Sequence, residues 1–439
     1  MLEIFVSNDK GRGLRCTSSI RRGTVLMSSE PFVYLLANEQ KGIRCDHCFQ
    51  KQETLLRCSG CKFMRYCDKN CQKGAWSQHK QECAALKQIS PKVPPDFVIL
   101  LGRVLWKLEN SLDDNKTEDL VSIMDLESNY DRLTEGQKET LGQFVVILHS
   151  YWGLGTLPLQ VPDIKAVLEL CAKLKNNSFA ICDEELQSDI GTGIYLSCSL
   201  INHSCVPNCI AVFDRLQLNI RTLRDLKEGE ELTISYIEQL APSHDRQDEL
   251  QNIYRFKCKC PACSNRMHDG NMLSDFNNEI LSINSPKITA VKRFLEDLDK
   301  ARKAGDYGEI RDLTSGFIAR QVLPLENVYM ARIHDFSMDA CIQLQKFDEA
   351  FHHGAMALKA YRSYLQDVNP LTGLQMMKLG KILLYTKRNG EAIRMLVEAL
   401  KVLQITHSHK GEVMQELRLL IENCQLELRS ESKKKNSSQ

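Results

Sequence analysis

The sequence predicts an α+β multidomain protein. A β-rich fold is split by a small zinc finger and a helical insertion, closed by a cysteine-rich zinc cap, and followed by an all-α domain. Three observations predict it. Short apolar runs bounded by turn formers occur before residue 37 and again between 176 and 240, so the β-rich part is discontinuous in sequence. Cysteines crowd into two stretches, 45–83 and 258–263, at spacings that suit tetrahedral zinc. From 270 to 429 the apolar residues recur with helical period.

The bulk numbers narrow the class of protein. A chain of 439 residues can form about three domains, each with its own core. Its 43% hydrophobic and 26% charged residues are ordinary for a soluble protein. Lys and Arg number 57 against 56 Asp and Glu, so no global field recruits nucleic acid or membrane, and a charged partner must meet a local patch. Met1 to Asp9 lack the basic start and apolar run of a secretory signal, and no run of about 18 apolar residues is present to span a bilayer. Eighteen cysteines in such a chain are expected as reduced thiols and metal ligands, in the cytoplasm and nucleus.

Residues 1–44 read as an N-terminal lobe of short strands, at Ile4 to Val6, Lys10 to Arg15 and Thr24 to Met27. Gly11 and Gly13 alternate with Lys10 and Arg12, so backbone can approach a ligand closely while two cations face it; a plain hairpin loop explains the same residues.

Residues 45–83 hold Cys45, Cys48, Cys58, Cys61, Cys67, Cys71, His79 and Cys83, eight ligands in 39 residues. That suits two tetrahedral zinc ions, and so small a piece has too little core to fold without them. Spacing alone leaves the cross-braced and the sequential pairing both open. The finger's side chains balance to +3, which seven thiolates and two zinc ions return to zero. A peptide-docking surface is therefore favoured over a DNA-binding one, with scattered lysines left as the only phosphate contacts.

Residues 84–175 read as a helical insertion. Phe97, Leu101, Val104, Leu105 and Leu108 share one helical face after the Pro91 and Pro94-Pro95 linker. Thr134 and Gln137 form a capping-box start for a helix carrying Leu141, Phe144, Val145, Leu148 and Trp152; Ile164, Val167, Leu168, Cys171 and Leu174 make a third stripe. Asp125 to Asn129 read as a polar loop and cap between helices.

Residues 176–240 resume the β-rich core. Gly193 to Leu200 read as an apolar strand running into an Asn202-His203-Ser204-Cys205 turn closed by Pro207 and Asn208, and Gly191 with Gly193 reads as a turn. Val212-Phe213 and Leu216 to Ile220 make a hairpin, and Asp225 to Glu231 turn into a strand ending at Tyr236. No βαβ repeat is visible.

Residues 241–269 form the cap. Cys258, Cys260 and Cys263 supply three sulfurs where zinc needs four, and Cys205 can be the fourth. Such an ion would staple the cap across the Asn-His turn and bring Tyr254 and Phe256 over it. Cys198 and Cys209 flank the turn, but no activating His-carboxylate pair supports a nucleophilic cysteine there.

In 270–429 an offset of 42 residues relates Glu349-Ala350 to Glu391-Ala392 and Ala357-Leu358 to Ala399-Leu400, so six or seven antiparallel helices stacked as a solenoid are expected. Its concave side would bind a partner or close over the site; a purely structural prop fits equally. Residues 430–439, with three lysines among serines, read as a disordered, solvated tail.

The order of these parts resembles the SET and MYND domain family of protein-lysine methyltransferases over nearly the whole chain. The Asn-His-Ser-Cys turn, the Tyr236 strand and the C-x-C-x2-C cap resemble a SET domain with its post-SET zinc cap; Tyr66-Cys67 and Cys71-Gln72-Lys73-x2-Trp76-x2-His79 resemble a MYND finger. The C-terminal helices resemble tetratricopeptide (TPR) pairs. The resemblance implies a β-rich SET fold split by the MYND finger and helical insertion, and a TPR-like domain behind the cap. It implies interleaved pairing in the finger, with Cys45, Cys48, Cys67 and Cys71 on one zinc and Cys58, Cys61, His79 and Cys83 on the other, hence three zinc ions in all.

It also implies transfer of a methyl group from S-adenosylmethionine to a lysine ε-amine of histones or other proteins. By that resemblance Phe179, Tyr236 and Tyr254 wall the lysine channel, with the Tyr236 hydroxyl at the transferring methyl. Asn202 and His203 hold the amino-acid and adenine portions of the cofactor, Asn177 its methionine end, Lys10 and Arg12 its carboxylate, and Phe256 its adenine. Glu127, Asn129 and Ser199 complete the cofactor set, and Val121 stands where a relative has a tyrosine. Proline-rich or chaperone-type peptides are expected at the finger and helical surfaces, and the protein is expected to be a monomer without membrane contact. The competing reading is a zinc-dependent interaction scaffold or transcriptional co-regulator.

Overall fold

A computed structural model of the chain describes residues 1–110, 119–152, 161, 163–185 and 189–437. The β-rich part consists of small sheets. Leu2–Ser7 and Gly11–Cys16 form an antiparallel hairpin, with Ser7 opposite Gly11. Val25–Ser29 pairs with Gln217–Thr222, which pairs in turn with Cys209–Asp214, joining the N-terminal lobe to a hairpin nearly 200 residues later. A second three-stranded sheet places Asp189–Ile194 between Val33–Leu36 and Ser178–Cys182. The inner faces of these sheets pack Leu14, Leu36, Ile181, Tyr195, Leu218 and Ile220 into one core.

Two features of the β-rich part differ from the sequence expectation. Gly191 and Gly193 lie inside a strand rather than in a turn. A Cβ on Gly191 would sit 2.5 Å from the Leu35 carbonyl oxygen and 2.5 Å from the Phe49 ring, so these glycines serve close packing of strand on strand and on the finger. The Asn-His pair is likewise a strand: after a 3-10 turn at Cys198–Leu200, Asn202–His203 pairs in parallel with Thr233–Ile234. The buried Asn208 side chain pins this pairing, its Oδ1 accepting the Thr233 N–H at 2.8 Å and its Nδ2 donating to the Glu231 carbonyl at 2.8 Å.

The finger packs against the second sheet and carries the helix Lys69–Ile89, whose N-cap Asp68 accepts the Asn70 and Cys71 N–H groups. The insertion follows as helices Asp96–Asn110, Glu135–Trp152 and Ile164–Asn177. Gln137 accepts the Thr134 N–H at 3.0 Å through its side chain, the arrangement a capping box provides.

After the cap, seven helices stack: Pro286–Ala304, Tyr307–Ala319, Val328–Gln343, Phe347–Tyr364, Pro370–Tyr385, Asn389–Thr406 and Glu412–Ser437. The 42-residue offset superposes Phe347–Tyr364 on Asn389–Thr406, and Ala350, Ala357, Ala392 and Ala399 are all fully buried because each helix presses its small residues on a neighbour. The last helix runs on to Ser437, past the point where the sequence suggests a disordered tail, because Glu, Lys and Arg continue a formed helix readily. Residues 438 and 439 lie outside the described residues.

This helical domain is fastened to the rest in two places. The Glu184 carboxylate accepts the Val413 N–H at 3.0 Å while the Glu184 carbonyl lies 3.0 Å from His407 Nε2. Beside the cap, Arg332 reaches Glu238 at 3.4 Å, Tyr329 donates to Asp245 at 2.9 Å and Asn369 donates to Gln239 at 2.9 Å. Among the described residues, no helix is long and apolar enough to cross a membrane.

Candidate active site

The site is built where the parallel pair Asn202–His203 and Thr233–Ile234 runs under the cap. His203 is buried, and its ring bridges two elements: Nδ1 accepts the Tyr236 N–H at 3.0 Å and Nε2 lies 3.2 Å from Cys205 Sγ. Accepting at Nδ1 places the ring hydrogen on Nε2, which then donates to the sulfur. Burial first of all drives the His203 pKa down to about 4, so the ring is neutral. The His203 side chain, expected at the cofactor, is thus occupied within the protein.

Cys205, Cys258, Cys260 and Cys263 bring their sulfurs within 4.8 Å of one another, although 53 residues separate the first two. Four soft thiolates at such separations fit one tetrahedral zinc. The buried guanidinium of Arg246 lies 3.9 Å from Cys263 Sγ and offsets the negative charge of a four-thiolate site. Finger donors fall into two interleaved sets, Cys45, Cys48, Cys67 and Cys71, and Cys58, Cys61, His79 and Cys83, each within the same limit, so the sequential pairing is set aside and three zinc ions fit the described residues.

Over the cap cluster the aromatic residues converge. Tyr236 and Tyr254 have ring centroids 4.9 Å apart, and Phe256 packs 6.0 Å from His203 and edge-on to Tyr236 at 6.5 Å. The Tyr236 hydroxyl donates to the Ile201 carbonyl at 2.6 Å, and burial raises its pKa well above the ordinary phenol value, so it stays protonated. Phe179 lies in the adjoining apolar cluster with Tyr236 and Val121, its ring edge-on to Tyr195 at 5.6 Å. Asn129 ties the insertion to this wall by donating to the Tyr254 carbonyl at 3.1 Å.

The polar candidates are held in place by other protein groups. Lys10 pairs with Glu231 at 2.7 Å, and Asn202 donates to the other Glu231 oxygen at 2.9 Å and to the Arg12 carbonyl at 3.2 Å. Both donor hydrogens of Asn202 are thus used, and its side-chain oxygen is the atom that remains able to accept a hydrogen bond. The Arg12 guanidinium binds the Asp125 carbonyl rather than standing free. Asn177 donates to the Glu127 and Lys173 carbonyls at 3.0 and 2.8 Å, and Ser199 donates to the Tyr195 carbonyl at 3.0 Å. A Cβ on Gly13 would come 2.7 Å from Asn202 Nδ2, so this position accepts only glycine without displacing the amide.

Sequence reasoning missed Glu231 and Arg246. Glu231 reads as half of an acidic turn, and only the fold carries it to Lys10 and Asn202. Arg246 gives no signal at all, since an arginine in a polar helix is normally solvated; here it is 3% exposed.

With this geometry established, similarity to known proteins assigns the family. The SET domain family model matches residues 11–237. "Histone-lysine N-methyltransferase SMYD3" of Homo sapiens is 35% identical over 432 residues, 98% of this chain and 99% of that protein. The chain belongs to the SET and MYND domain family. The Mus musculus protein of the same name is 34% identical over 98% of this chain and 99% of its own length. Another member, "N-lysine methyltransferase SMYD2-A" of Xenopus laevis, is 30% identical over 95% of this chain and 99% of its own. The likeness to these relatives extends over 95–98% of this chain.

Proposed function

We propose that this SET and MYND domain protein is a protein-lysine N-methyltransferase that uses S-adenosylmethionine. The observation that carries the proposal is the placement of Tyr236. Its hydroxyl is fixed on the Ile201 carbonyl and its backbone on His203, while the Cys205 cluster holds Tyr254 and Phe256 against it.

S-adenosylmethionine, when bound, supplies an electrophilic methyl carbon on a sulfonium. A lysine attacks only as the neutral amine, and neutralising it at pH 7.4 costs about 4 kcal/mol from its ordinary pKa. Phe179, Tyr236 and Tyr254 offer a partly dehydrated aromatic wall that disfavours an ammonium, so no side-chain base is required. The protonated Tyr236 hydroxyl aligns the amine and supports charge as it redistributes. The Asn202 side chain, fixed by Glu231, and the backbone around Arg12, held by the Asn202 amide, are positioned to orient an amino-acid moiety.

Its substrates are histone tails or other lysine-bearing proteins, and it acts in the cytoplasm and nucleus as a monomer. Proline-rich or chaperone-type peptides are its partners at the finger and helical surfaces. Transfer of labelled methyl groups from S-adenosylmethionine to histones and to a lysine-rich protein pool tests the reading. If no methyl is transferred and calorimetry detects no cofactor binding, an interaction scaffold is the better description.

A further inference from the structure

The finger is joined to the edge strand Val33–Leu36 by a chain of buried polar contacts. His79 presents Nε2 to its ligand cluster, 3.4 Å from Cys58 Sγ, and its Nδ1 meets the Glu82 carboxylate at 2.7 Å. Glu82 receives two parallel bonds from Arg103 of the insertion, at 2.7 and 3.0 Å. The third guanidinium nitrogen donates to the carbonyl of Tyr34, to which Gln78 of the finger helix also donates at 3.4 Å. His79, Glu82 and Arg103 are 2%, 0% and 4% exposed.

Tyr34 is in the edge strand of the second sheet. It stands opposite Gly193, and Gly193 stands opposite Phe179 on the far strand. One cross-strand row, about 10 Å long at the usual strand spacing, therefore connects the Arg103 contact to the channel wall. The finger grips the same strand from a second side, since His47 lies 2.9 Å from the Tyr34 hydroxyl and Phe49 packs edge-on to its ring at 5.7 Å.

We propose that Arg103 is a positioning residue that couples the finger's Cys58-Cys61-His79-Cys83 zinc site to the strand carrying Phe179, so that the finger sets the shape of the lysine channel as well as docking partners. A buried ion pair is a poor way to gain stability, because apolar residues of similar volume do as well or better. A planar fork binding two carboxylate oxygens and a backbone oxygen fixes direction instead. The carboxylate behind a zinc-bound histidine does the same for the ligand ring. The functional half of the inference rests on the methyltransferase reading, whereas the mechanical half does not.

The test uses the full-length, zinc-loaded protein with Glu82→Leu and Arg103→Leu combined, which removes the pair without stranding a charge. Zinc release to a colorimetric chelator is expected to rise about tenfold or more. Amide hydrogen exchange in Ser178–Cys182 and Asp189–Ile194 is expected to rise about tenfold, with Cys209–Asp214 and Gln217–Thr222 unchanged. Kd for S-adenosylhomocysteine is expected to stay within about twofold while kcat falls about tenfold, about 1.4 kcal/mol.

Unchanged exchange at Ser178–Cys182, or an equal rise in both sheets, overturns the coupling. Should the double variant not fold, Arg103→Lys replaces it, since lysine keeps the charge but cannot bridge the carboxylate and the Tyr34 carbonyl; the same exchange and kcat changes are expected, and the same exchange results overturn it. A wild-type protein that transfers no methyl group counts against the enzymatic reading alone, because zinc release and exchange are read without turnover.

Discussion

His203 accepts the backbone N–H of Tyr236 at 3.0 Å, so a residue of the Asn-His strand sets the entry of the tyrosine expected to face the substrate. The same ring reaches Cys205, and any zinc held there is thereby linked to the tyrosine backbone through one side chain. Replacing His203 by Ala should leave the Tyr236 N–H without an acceptor, at about 1–3 kcal/mol in stability. It should also weaken zinc retention by about 10–100-fold. Thermal unfolding and zinc competition with a chelator measure the two effects.

Tyr236→Phe removes a hydroxyl whose partner is the Ile201 carbonyl while leaving the ring contacts with Tyr254 and Phe256. Methyl transfer is expected to fall by about 100-fold, and S-adenosylhomocysteine binding by calorimetry is expected to be little changed. Full activity in the variant would remove the hydroxyl from the mechanism.

Purified protein should contain about three zinc ions per chain by elemental mass spectrometry, and Cys205→Ser about two, because the fourth sulfur comes from outside the cap. Limited proteolysis should then cut between Tyr254 and Cys260, where the polypeptide forms neither strand nor helix.

Gly13→Ala places a methyl group against Asn202 Nδ2 and within 2.9 Å of the Phe5 ring. Overpacking of this kind costs about 1–3 kcal/mol. Cofactor affinity should fall about tenfold or more, read by calorimetry, while the zinc content stays the same.

Asp335 lies in the helix Val328–Gln343 and faces the neighbouring helix Phe347–Tyr364. Its Oδ2 accepts the Tyr361 hydroxyl at 2.6 Å and its Oδ1 is buried without a partner. Burial pushes its pKa up to about 7 against the Tyr361 bond that lowers it, with Asp339 and Glu238 adding to the rise and Lys378 opposing it. The folded state therefore holds this proton more tightly than the unfolded chain does, and stability falls as pH climbs from about 4 to about 7. Asp335→Asn should raise Tm at pH 8 and lose that advantage near pH 4, in melting curves taken across this range.

Much of the site was legible in the residues themselves. Cys205, Cys258, Cys260 and Cys263 could be grouped from ligand count, because zinc demands four donors and the cap offers three. The finger's ligands were equally plain, but their pairing was not: spacing permits two arrangements, and the structure brings Cys67 beside Cys48. The 42-residue offset located the helical repeat because packing of small residues recurs with each pair. Gly191 and Gly193 misled, since a glycine required by a neighbouring strand looks the same in sequence as one required by a turn.

The amino-acid sequence by itself determined which chemistries are present: three sulfur-rich ligand sets, an aromatic series at Tyr236, Tyr254 and Phe256, and a helical array behind them. Those depend on local spacing and on side-chain type. Only the tertiary structure decided how the polar groups are used. Glu231 clamps Lys10 and Asn202, Arg103 spans finger and sheet, and His203 turns its ring away from solvent toward sulfur and backbone. These are contacts between residues tens to hundreds of positions apart, fixed by burial and by the need of every buried donor for an acceptor.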